Sequence, residues 1–221
     1  MKITLITIFC FILMAFQQGT APIKVILFGD SITQAGVSPT GYITQMKAMI
    51  EAQGKKDQYE LIGAGISGNK IYDLYLRLED DVLNKKPNIV VIYIGVNDVW
   101  HKRTSGTGTD ADKFEKFYNA IIKKIKAQGA KVILCTPAAI GERTDFSNEQ
   151  DGEMNSYSTI IRNIATKNEC PIVDLRKAFL DYNLKNNPEN KEKNILTTDR
   201  VHLNEKGNQL VSELILKAVQ N

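Results

Sequence analysis

The 221 residues carry a net charge of only +3, with lysines scattered rather than blocked, which excludes an electrostatic case for nucleic acid. An apolar share of 43% and a charged share of 24% are those of a soluble globular protein, and the length suits one domain with a sizeable core.

Met1-Lys2 followed by an apolar run from Ile3 to Phe16, then small and polar residues, has the form of an export signal. The run is shorter than the ~20 residues a spanning helix needs, so removal is expected, with no stable membrane insertion afterwards. Cys10 lies inside it. Gly19-Thr20-Ala21 supplies small residues for cleavage, so residues 1–21 read as signal and residues 22–221 as a single exported domain, periplasmic or extracellular.

The next stretch, K-V-I-L-F-G-D-S-I-T over residues 24–33, organises the rest. Val25-Ile26-Leu27-Phe28 is short, β-branched and aromatic, without alternation, as in a parallel strand buried on both faces. It stops at Gly29-Asp30 and presents Ser31 where α/β sheets place their chemistry, in the crevice at the strands' carboxyl ends. Asp30 or Ser31 acting merely as a helix cap is the competing reading.

Helical spacing follows over residues 42–53, then a strand at 59–62. Gly63-Ala64-Gly65-Ile66-Ser67-Gly68-Asn69 comes directly after it, a glycine-rich turn that lets backbone N–H groups approach a ligand. It lacks the dinucleotide fingerprint, and the chain has no P-loop pattern. A helix is expected over residues 71–83 and the strongest strand over 88–94. Gly95-Val96-Asn97-Asp98 ends that strand, where Asn97 can aim a side-chain N–H at a developing oxyanion or simply make a turn.

Residues 101–109 read as a polar loop, 110–128 as a helix, 131–135 as a strand and 138–151 as a second loop. A helix over 152–167, a strand over 172–175, a loop over 183–199 and a final helix over 204–219 complete the chain. Such alternation predicts a three-layer α/β domain with a parallel sheet. Cys135 and Cys170 fall at opposite ends of adjacent strands, about 12–17 Å apart, beyond the ~7 Å a disulfide spans. Two separate thiols are expected.

Near the end stands Asp199-Arg200-Val201-His202, in which a carboxylate three residues before a histidine can orient its ring so that the far nitrogen accepts a serine proton. Asp98 and His101 share that spacing. Asp98 already belongs to the Asn97 stretch, so a base approaching Ser31 from the other side is expected to be His202.

Taken jointly, G-D-S-I at Ser31, the glycine block at Gly68, G-V-N-D at Asn97 and D-R-V-H at Asp199 and His202 resemble the four blocks of the SGNH hydrolases, or GDSL esterase family, in the family's order. Ile32 stands where the founding motif has leucine. The resemblance implies a three-layer α/β/α sandwich with a flavodoxin-like five-stranded sheet of order 2-1-3-4-5 and an ester hydrolase with no metal or organic cofactor. It implies Ser31, Asp199 and His202 as catalytic residues, and Ser31, Gly68 and Asn97 as the oxyanion hole. Asp30, Trp100 and His101 are expected to touch substrate.

The polar loops favour a short acyl group, acetyl above all, on a sugar or similar soluble alcohol, since a lipase would expose an apolar lid. A lysophospholipase or thioesterase, or an acyltransferase using the same triad, stays open. A non-catalytic binding module is disfavoured, having no use for these five residues together.

Overall fold

The computed structural model describes residues 21–221, so the expected export signal lies, but for Ala21, outside the described residues. Strand β1 (Ile23–Gly29) leads through the short helix α1 (Ser31–Ala35) and α2 (Tyr42–Ala52) to β2 (Tyr59–Gly65). Helices α3 (Ile71–Leu76) and α4 (Leu78–Asp81) precede β3 (Ile89–Tyr93), and α5 (Val96–Thr104) and α6 (Ala111–Ala127) precede β4 (Lys131–Cys135). Then come α7 (Asp151–Lys167), β5 (Ile172–Val173), α8 (Leu175–Asn186) and α9 (Glu205–Gln220).

The five strands are parallel in the order β2-β1-β3-β4-β5, the order the resemblance implies, with helices on both sides. The central strands are apolar throughout because both faces are covered: Val25 to Phe28 and all of β3 are buried. Each such side chain contributes roughly 1.5–3 kcal/mol relative to exposure. Helix α2 packs against α9, while α3, α6 and α7 pack in series. Register sets the site: Gly29 pairs with both Gly65 and Tyr93, so β1, β2 and β3 end level and their following loops converge.

Four expectations meet the structure here. The helix expected over residues 71–83 breaks at Arg77, whose guanidinium turns inward to donate to Gly29 O at 2.7 Å and to Ala64 O at 3.1 Å. It also stacks 4.5 Å from the Phe28 ring centroid and pairs with Asp81 at 2.5 Å, tying the ends of β1 and β2 together. Residues 101–104 are helical, the end of α5, rather than loop. Helix α8 is an element the sequence reading lacked: it overlaps the end of the expected strand at Leu175 and the start of the expected loop at residues 183–186, and begins where Asp174 caps it by accepting Lys177 N–H. The fifth strand is correspondingly short. Cys135 and Cys170 are both buried free thiols, as expected.

Candidate active site

Ser31 opens α1 at the end of β1. A Cβ on Gly29 would stand 2.3 Å from Tyr93 O and 2.4 Å from Thr33 Oγ1, so no other residue fits where the chain turns out of the sheet. Asp30 then caps α1, its Oδ1 accepting Ile32 N–H at 3.0 Å.

Asp30, expected to touch substrate, commits Oδ1 to this cap. The residue is 2% exposed, and burial pushes its carboxyl up to about 7, with the nearby Asp98 charge adding to the rise. Asp30 thus fixes the start of the helix that Ser31 opens. Its position beside Ser31 in sequence gives no sign of its burial.

Ser31 Oγ lies 2.9 Å from His202 Nε2, across 171 residues of chain. His202 Nδ1 lies 2.7 Å from Asp199 Oδ2. A carboxylate only accepts, so Nδ1 carries the proton and Nε2 is left to accept from the serine hydroxyl. The other oxygen, Asp199 Oδ1, accepts the N–H groups of Val201 at 3.0 Å and His202 at 2.8 Å. Partial burial opposes the charged carboxylate, but the bonds from His202 and Val201 outweigh it and hold Asp199 below the usual range.

The loop bearing this pair is anchored by a residue that the sequence does not single out. Glu142, 1% exposed, accepts the backbone N–H groups of Ile195, Leu196 and Thr197 at 2.9, 2.6 and 2.9 Å. Nothing in the sequence separates Glu142 from the other charged residues of its loop. Thr198 N–H donates to His202 O at 2.8 Å and closes the bend.

Gly68 has φ +78°, a left-handed conformation that glycine adopts without strain. The backbone N–H groups of Ser31 and Gly68 have no acceptor among the described residues. Asn97, 2% exposed, sits in the first turn of α5 rather than in a turn after the strand. Its Nδ2 donates to Asn69 O at 3.1 Å, so one amide hydrogen fixes the group against the Gly68 loop and the second is free. Asp98 strengthens this link: its Oδ1 accepts Ile71 N–H at 3.1 Å, joining α5 to the start of α3. Burial pushes the Asp98 carboxyl up to about 6.

The alternative pair of Asp98 and His101 is not brought together. Asp98 is wholly buried and turned toward α3, whereas His101 lies at the rim, near Gly68. Partial burial and then the charge of Lys70 lower the His101 pKa. Trp100 meets the His202 ring edge-on, with centroids 6.2 Å apart, and also lines a cavity. The structure thus gathers Ser31, Gly68, Asn97, Asp199 and His202 at the carboxyl ends of the strands, with Trp100 and His101 beside them.

A hydroxyl bonded to an imidazole that a carboxylate orients is an arrangement suited to acyl transfer. The chain belongs to the GDSL-like Lipase/Acylhydrolase family, which it matches over residues 27–210, and is a carboxylic ester hydrolase. It is 28% identical to the acetylxylan esterase of Geobacillus stearothermophilus over 214 residues, 89% of this chain and 93% of that protein. Among solved structures, the acetyl xylan esterase AlAXEase is 66% identical, with a TM-score of 0.88 over 89% of this chain and 100% of the other. LAE5, an alpha/beta hydrolase enzyme from the metagenome of Lake Arreo, Spain, is 27% identical, with a TM-score of 0.80 over 91% of this chain and 97% of the other.

Proposed function

We propose that this chain is an exported serine esterase that removes acetyl groups from acetylated, xylose-based carbohydrate, with Ser31, His202 and Asp199 as its triad. The observation that carries the reading is the continuous link from Ser31 Oγ through His202 to Asp199, at 2.9 and 2.7 Å. Similarity to two acetylxylan esterases, one at 66% identity, supports the substrate class. The polar rim, with Lys102, Arg103, Thr104 and Ser105 after His101, supports a soluble rather than a lipid ester.

In this mechanism His202 Nε2 takes the proton of Ser31 as Oγ bonds to the ester carbonyl carbon. The carbonyl π pair moves onto oxygen, which is stabilised by the N–H groups of Ser31 and Gly68 and by the free amide hydrogen of Asn97. His202 then gives its proton to the leaving sugar oxygen as the C–O bond breaks, leaving acetyl on Ser31. Water, deprotonated by His202, repeats the attack and releases acetate and free Ser31. Asp199 holds the ring in the required tautomer throughout and stabilises the imidazolium that forms twice per cycle.

Export belongs to the proposal: the basic start and apolar run of residues 1–16 support it, and N-terminal sequencing of protein recovered from the medium or periplasm tests it. Activity is tested with p-nitrophenyl esters of rising chain length beside acetylated xylo-oligosaccharides. Acetyl esters and the oligosaccharides should be turned over fastest. A preference for long acyl chains with no release of acetate from the sugars would replace this reading with a lipid esterase.

A further inference from the structure

The proton that ends the acylation step must pass from His202 Nε2 to the leaving oxygen, so the alcohol half of the ester lies on the His202 side of Ser31. A cavity of about 240 Å³ adjoins that side through Trp100, which touches the His202 ring, and Arg200, which stands between Asp199 and His202 in the chain. Trp100 forms one wall and Arg200 another. Arg103, Glu149, Glu192 and Ile140 also line it.

The volume is below the ~300 Å³ at which pockets for drug-sized ligands begin, which suits one ring rather than a long chain. The wall charges come in pairs. Arg103 is ion-paired with Glu149, and Arg200 Nη1 donates to Glu192 Oε1 at 2.7 Å, with Arg143 3.7 Å from the same carboxylate. Paired walls carry little net field, so they neither collect an anion nor favour an acyl tail. They do set guanidinium donors beside carboxylate acceptors, the combination that neighbouring hydroxyls on a ring satisfy. Arg200 commits Nη1 to Glu192, leaving the rest of its fork for a ligand. Trp100 adds an aromatic surface for the C–H face of a pyranose.

Arg200 also has φ +90°, a costly conformation for a residue with a Cβ, of order 1–3 kcal/mol. Its carbonyl accepts Gly141 N–H at 2.9 Å, which holds it there. We infer that this cavity is the leaving-group subsite and takes a single neutral pyranose of the acetylated saccharide, gripped by Arg200–Glu192 on one side and Arg103–Glu149 on the other, over Trp100. The inference rests on the esterase reading above and names the part of the substrate that reading leaves open.

Its test compares kcat/KM for an acetylated xylo-oligosaccharide with kcat/KM for p-nitrophenyl acetate, whose leaving group has no sugar hydroxyls. Arg200→Gly removes the guanidinium and relieves the positive φ, so the triad loop keeps its course. Arg103→Ala attacks the opposite wall from the last turn of α5, away from that loop. The ratio of sugar ester to p-nitrophenyl ester should fall about tenfold in Arg200→Gly, equivalent to about 1.4 kcal/mol. Arg103→Ala should move it in the same direction. Equal losses on both esters, or an unchanged ratio in both variants, would overturn the subsite. Wild-type protein that hydrolyses neither ester would instead overturn the esterase reading, so the two failures are distinguishable.

Discussion

Replacing Asp30 with asparagine keeps a capping side chain for α1 but removes a buried titrating group next to Ser31 in the chain. The carboxyl sits at about 7 in the folded protein, against 3.8 as its ordinary value, because burial penalises the charge. A folded pKa raised above the unfolded one favours folding in acid. The stabilisation is full below about pH 4 and is lost as the pH rises through about 7. At 1.36 kcal/mol per pH unit, the wild type should lose about 3 kcal/mol relative to Asp30→Asn between about pH 4.5 and 8. Asp98, itself pushed up to about 6, is present in both proteins and largely cancels from the difference. Urea denaturation of both proteins across that range, read as the difference in unfolding free energy at each pH, measures the effect. Parallel stability curves would refute it, because they would mean that Asp30 is charged at neutral pH despite its burial.

Asn97→Ala should lower kcat about 10²–10³-fold with a much smaller change in KM, since the donor gains strength only as the oxyanion forms. Steady-state kinetics on p-nitrophenyl acetate separate the two constants. His202→Ala should be nearly inactive while His101→Ala keeps substantial kcat, assayed on the same ester across pH; the reverse would move the base to His101. Glu142→Ala strands three backbone N–H groups and should destabilise the fold by roughly 2–4 kcal/mol, at about 1 kcal/mol per buried bond or somewhat more. Thermal melts should show the loss together with a fall in kcat, because the same loop carries Asp199 and His202.

The strands were legible because β1 and β3 are buried on both faces, which leaves apolar runs without alternation; Val25–Phe28 and Ile89–Tyr93 could be read directly. Ser31, Asn97, Asp199 and His202 were legible because each follows or ends such a run, or precedes the last helix. Helix α5 was harder to see because its first turn buries polar Asn97 and Asp98 where a helix of the core would show apolar residues. Helix α8 leaves Leu180 and Leu184 exposed while burying Asn183, which blurs its amphipathic pattern. The break at Arg77 depends on the Gly29 and Ala64 carbonyls, and part of the rise in the Asp30 pKa on the charge of Asp98. Those neighbours are distant in sequence and become evident only once the chain is folded.

The most direct test of the serine mechanism is acetate release from acetylated xylo-oligosaccharides by wild type and by Ser31→Ala, with a thermal melt on both proteins. Release should be rapid in the wild type and almost absent in a Ser31→Ala protein that melts at a similar temperature. Near-normal release by that folded variant would contradict the mechanism outright.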